Sequence, residues 1–77
     1  MTGVGSEVVA PMVLEPSDQA RRRRRSRVTQ RRIADLLGIS TGAVSEYENG
    51  NKPLPFELTP LDYENALNKA LSEREAR

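Results

Sequence analysis

The chain has 77 residues, a net charge of +1 and 36% apolar residues, which allows one small domain with a modest core. With neither Cys nor His, thiolate and imidazole metal ligands, a thiol nucleophile and an imidazole base are all excluded. No apolar run approaches the roughly 20 residues of a membrane span, and no basic leader precedes an apolar core, so neither an anchor nor a signal peptide is expected.

Met1 to Ser6 holds small residues and two Gly and reads as a disordered tail. Glu7 to Leu14 is apolar and β-branched but is interrupted by Pro11. It reads as an extended arm that packs on the domain or on a second subunit, or as a leader with no partner in the monomer. Residues 1–16 are therefore expected to form a flexible arm and 17–77 a domain. Pro16-Ser17-Asp18 looks like a helix start with Ser17 as N-cap, continued by Ala20 and the run Arg21, Arg22, Arg23, Arg24 and Arg25. Arg favours helix, while repulsion within the run opposes it, so ordering of this helix on phosphate groups is one expected behaviour. Ala20 is the single apolar residue that Ser17 to Arg27 offers to a core.

Charge is segregated. Residues 1–20 carry −3, residues 21–32 carry eight Arg and no acid, and residues 33–52 and 53–77 carry −2 each. A block of like charge is usually a solvated tail, but this one lies directly before the most organised segment of the chain, which points toward phosphate contact.

That segment is Thr29 to Gly50, TQRRIADLLGISTGAVSEYENG. Ile33, Ala34, Leu36 and Leu37 recur at the spacing of one buried helical face. Gly38 follows where a helix ends and the backbone takes a positive φ. Ile39 fills the turn, and Ser40 can cap the next helix. In the second helix Val44 and Tyr47 face inward, and Asn49-Gly50 stops it. Two short helices joined by a tight turn form the unit that lays its second helix in the major groove.

Beyond it, Pro53 and Pro55 exclude helix, and Phe56, Glu57 and Leu58 read as an extended or single-turn piece. Thr59-Pro60-Leu61-Asp62 is a well-formed helix start. Leu61, Ala66, Leu67, Ala70 and Leu71 continue it at helical spacing to about Glu75. This last helix closes the core, pairs with its copy in a dimer, or does both.

On Gln30, Ala34, Gly38 and Glu48-Asn49-Gly50 the chain resembles the phage Cro and repressor-type helix-turn-helix family, also called XRE. The resemblance extends over about Ser17 to Leu71, and its specific part is Gln30 to Pro53. It implies an all-α, lambda-repressor-like domain of four to five short helices behind a flexible arm. It also implies that Arg23 pairs with Glu48. The departure from the family is the first helix, which normally supplies two or three apolar core residues.

As a DNA-binding domain, the chain divides its contacts between positioning and reading. Phosphate contacts are expected from Arg27, Gln30, Arg31 and Arg32 at the start of the first motif helix, and from Asn49, Asn51 and Lys52 past the second. Arg21 to Arg25 form an auxiliary basic arm that tracks the backbone or enters a narrow minor groove. Base reading falls to Thr41, Gly42, Ser45 and Glu46, with Glu46 able to accept from cytosine N4. Gly42 lowers helix stability and is expected either to let the helix approach the groove floor or to be merely tolerated. The expected protein is a dimeric regulator, most simply a repressor on an inverted-repeat operator, in the cytoplasm, with double-stranded DNA and a second copy as partners. No metal, cofactor, small-molecule ligand, membrane or catalysis is expected. The alternatives are a protein-interaction module such as an antitoxin that also binds DNA, and non-specific nucleic-acid binding through the Arg block.

Overall fold

A computed structural model describes residues 14–75. It contains four helices, α1 (Pro16–Arg25), α2 (Gln30–Leu37), α3 (Thr41–Glu48) and α4 (Pro60–Glu75). Among the described residues there is no strand, and the chain has the all-α fold of a helix-turn-helix domain. Helices α2 and α3 pack on each other, α4 lies against α1 and α2, and α1 reaches α3. Apart from Leu14, the apolar arm at 7–14 lies outside the described residues.

Helix α1 begins earlier than the sequence suggests. Its N-cap is Glu15, which makes no side-chain cap, and not Ser17. Pro16 decides this: its fixed φ suits the first helical position, and its missing N–H leaves nothing to satisfy there. The inner face of α1 corrects a second expectation. Besides Ala20 it buries Gln19, with no exposed surface, and Arg23, so polar groups fill the place of the missing apolar residues. Gln19 satisfies them in both directions. Its Nε2 donates to the Pro60 carbonyl at 3.1 Å and to Glu64 Oε2 at 3.1 Å, and its Oε1 accepts from the Tyr47 hydroxyl at 2.5 Å. Burial without partners would be strongly unfavourable.

Three helices end in the same Schellman motif. After α2, Gly38 has φ +72°, with Ile39 N–H donating to the Ala34 carbonyl and Gly38 N–H to that of Asp35. After α3, Gly50 has φ +77°, with Asn51 and Gly50 donating to Glu46 and Tyr47. After α1 the same two bonds run from Val28 to Arg23 and from Arg27 to Arg24, but the left-handed residue is Arg27, φ +62°. Two motifs thus use the residue that tolerates this conformation, and one does not.

The core joins Val28, Ile33, Ala34, Val44, Tyr47, Leu54, Tyr63, Ala66, Leu67 and Ala70, with Leu36, Leu37, Ile39, Leu58 and Leu71 packed at its edge. The Tyr47 and Tyr63 rings meet at a centroid distance of 5.5 Å. On α4 the buried row is Tyr63, Ala66, Leu67 and Ala70. Leu61 is not part of it, being 47% exposed, because it lies two residues and about half a turn from Tyr63. Thr59 caps α4 as expected: its Oγ1 accepts from Asp62 N–H at 3.2 Å, while Asp62 Oδ2 accepts from Thr59 N–H at 2.7 Å. Between α3 and α4 the segment at Phe56 is a single turn and not an extended piece. Phe56 and Glu57 both have positive φ, +58° and +60°, and Leu58 N–H closes the turn on the Pro55 carbonyl at 3.1 Å. This is a type I′ turn built without Gly or Asn, and it holds Phe56 81% exposed.

Candidate nucleic-acid interface

The geometry of α3 separates two sets of residues. Val44, Tyr47 and Glu48 are buried, whereas Thr41, Gly42 and Glu46 are exposed and Ser45 is half-buried. The spacing of 41, 42, 45 and 46 places them on one outward face of the helix. Ser40 fixes the start of α3, its Oγ accepting from Ala43 N–H at 3.0 Å. Among the described residues, none of the three outward side chains, Thr41, Ser45 and Glu46, makes a hydrogen bond or ion pair. Asn49, Asn51 and Lys52 are exposed just past the helix, and a shallow cleft of about 420 Å³ between Gly42, Ala43, Glu46 and Lys52, Pro53, Pro55 flanks the outward face.

The other end of α3 is held from behind. The Glu48 carboxylate accepts from Arg23 Nε at 2.7 Å, Arg23 Nη2 at 3.0 Å, Gln30 Nε2 at 2.9 Å and the Tyr63 hydroxyl at 2.5 Å. One residue of α3 thereby touches α1, α2 and α4. Arg23 spends a further N–H on the Val28 carbonyl at 2.9 Å, inside the α1–α2 turn. Burial alone would raise the Glu48 pKa, but hydrogen bonds from Arg23, Tyr63 and Gln30 and the charge of Arg23 outweigh it and hold the carboxyl below its ordinary value. Burial likewise opposes charge on Arg23, and Glu48 more than compensates, raising its pKa. The Tyr63 phenol is pushed up by burial and by the Glu48 carboxylate it donates to. Tyr47 is pushed up to about 12 by burial, then by the charges of Glu64, Glu15 and Glu48.

Three of the expected contact residues are engaged within the domain. Arg23 does not belong to an outward basic arm; its guanidinium is consumed by Glu48 and Val28. The amide of Gln30 is likewise bound inward to Glu48. Arg32 pairs with Glu73 of α4 and turns toward that helix. The Arg21–Arg25 run is wound around α1, as a continuation of that helix. Arg21 lies 3.6 Å from Asp18, Arg22 Nη2 donates to Asn68 Oδ1 at 2.7 Å, and Arg24 and Arg25 are exposed. Arg27 and Arg31 are exposed near the start of α2, Arg31 4.0 Å from Asp35. The supporting residue Gln19 escapes an apolar-pattern reading because its role is polar.

Residues 19–68 match the helix-turn-helix domain family. The chain belongs to this family. As a helix-turn-helix domain it is a DNA-binding domain, with α2 and α3 as its two motif helices. No curated protein and no solved structure matches the chain. Among the described residues, no helix is long and apolar enough to cross a membrane.

Proposed function

We propose that this helix-turn-helix protein is a sequence-specific regulator of transcription of the Cro and repressor type, binding an inverted-repeat operator as a homodimer and blocking a promoter. The observation that carries this reading is the outward face of α3. Three side chains capable of approaching base edges, with Gly42 between them, are left unengaged on a helix whose opposite face is fixed to every other helix of the domain. In this reading Thr41, Gly42, Ser45 and Glu46 read bases. Arg27, Arg31, Asn49, Asn51 and Lys52 hold phosphates, with the backbone N–H groups opening α2. The proposed dimer surface is the outward side of α4 near Leu61.

The test is selection from random duplex DNA at physiological salt. An enriched inverted repeat with half-sites about 34–36 Å apart is the expected result. Glu46→Ala should then alter the enriched sequence, whereas Arg31→Ala should weaken all sites alike and reduce the salt slope by about one unit. Identical effects of the two changes would refute the division of roles. A protein-interaction module, such as an antitoxin, is the second reading, and the exposed Phe56 favours it. Failure to retain any duplex would put it first.

A further inference from the structure

Two adjoining clefts lie where the α1–α2 turn meets the C-terminal part of α4. One, of about 340 Å³, is lined by Arg27, Thr29, Arg32, Glu73 and Arg74, among others. Its neighbour, of about 450 Å³, is lined by Arg25, Ser26, Arg27, Leu71 and Arg74. They share Arg27 and Arg74, so together they gather four guanidinium groups, with Glu73 the one carboxylate among the described lining residues. The chain fold creates this cluster, since Arg74 is remote in sequence from the Arg block. Arg74 is anchored by donation from Nη1 to the Ser26 carbonyl. A guanidinium carries five N–H donors, so that bond leaves most of its donor capacity for a ligand.

Concentrated positive charge in a cleft focuses the field and attracts anions. From this we infer that the two clefts form an auxiliary phosphate-binding surface that grips the DNA backbone outside the bases read by α3, with Arg25, Arg27 and Arg74 as its contacts. The inference rests on the proposed DNA-reading role of α3. Thr29 and Arg32 line the first cleft, so it opens beside the end of α2 that this role sets against a phosphate. Arg74 lines the same cleft as Thr29 and Arg32, beside that end of α2. Two contiguous cationic clefts sharing two Arg suit successive phosphates of a polyanion better than one isolated ion.

The test compares wild type with Arg25→Gln/Arg74→Gln, using the selected operator in a long duplex and in a duplex trimmed to the base pairs under α3. The readout is the dependence of binding on salt. Each phosphate contact contributes about 0.9 to the slope of log K against log salt. The double variant should therefore lose about 1 to 2 units of slope on the long duplex, little on the trimmed one, and should enrich the same sequence. Arg74→Lys, which keeps the charge, should keep most of the slope, and thermal melting checks that each variant is folded. A wild-type slope in the folded double variant, or an equal loss on both duplexes, overturns the inference while leaving the reading of α3 intact. A wild type that retains no duplex sinks that reading and this inference together. Titration with inorganic phosphate covers the remaining source. Saturable binding at these Arg side chains that operator DNA does not displace would make the clefts a small-anion site and overturn the assignment to DNA.

Discussion

Replacing Glu48 with Ala tests whether one carboxylate organises the domain. Removing one partner of a buried ion pair typically costs about 3–5 kcal/mol, because the remaining charge is left uncompensated. Arg23, 7% exposed, would keep only the Val28 carbonyl. The Tyr63 hydroxyl, on a fully buried residue, would lose its acceptor at about 1 kcal/mol, whereas half-buried Gln30 can rehydrate. The expected loss is about 4–6 kcal/mol, against a total of about 3–9 kcal/mol for a domain of about 60 ordered residues. Glu48→Ala should accordingly be largely unfolded or close to it. Arg23→Ala should be somewhat milder, since Glu48 would retain Gln30 and Tyr63. The double variant should be less destabilised than the sum of the two by about 2–3 kcal/mol. Urea unfolding followed by far-ultraviolet circular dichroism measures all three. A Glu48→Ala cost below about 1 kcal/mol, or additive effects in the double variant, would refute the reasoning.

Three further outcomes follow from the same geometry. Arg27→Gly should relieve a left-handed residue that costs about 1–2 kcal/mol. Offset by the greater chain entropy of Gly, this leaves a gain of about 0.5–1 kcal/mol and a rise of a few degrees in thermal midpoint, together with weaker DNA binding. Gly42→Ala should stabilise the fold by up to about 1 kcal/mol, since a Cβ there meets only Ser40 Oγ at 3.9 Å. A close approach to DNA predicts weaker operator binding by this variant in a titration, and unchanged affinity would discard that role. Stability should also fall at both extremes of pH. The folded Glu48 pKa is lowered, so its contribution is present above the unfolded value of about 4.3 and is lost as pH falls through the folded one. The Tyr47 pKa is raised to about 12, so its contribution is present below about 10 and is lost as pH rises toward 12. Thermal midpoints across pH should show a plateau between these limits.

The helix-turn-helix core was legible because its signals are local. Gly38, Ser40, Asn49-Gly50 and Thr59-Pro60 each act on backbone groups within a few residues, and each lies where its chemistry places it. The first helix was less legible because Gln19 and Arg23 are buried by partners 28 and 25 residues away, and apolar periodicity cannot register a reciprocal hydrogen bond. The Arg23–Glu48 pair was anticipated by family resemblance, not by any pattern in the chain. Leu61 was misplaced because two helical rows compete at the start of α4. The spacing of Tyr63, Ala66, Leu67 and Ala70 is the more regular and, counted with Tyr as a core residue, would have decided it. The exposed Phe56 follows from a type I′ turn that its residue types disfavour, so no sequence rule favoured that conformation.

The four-bond hold on Glu48 has a consequence for how this protein can change. Everything that keeps α3 in place acts through its inward side and its two ends. Positions 41, 42, 45 and 46 are therefore a nearly blank surface on a finished chassis. Substitutions there can recode the target sequence without rebuilding the fold, and a library confined to them should yield many variants that melt like the parent. Glu48 offers no such freedom, because changing it asks three other helices to adjust at once.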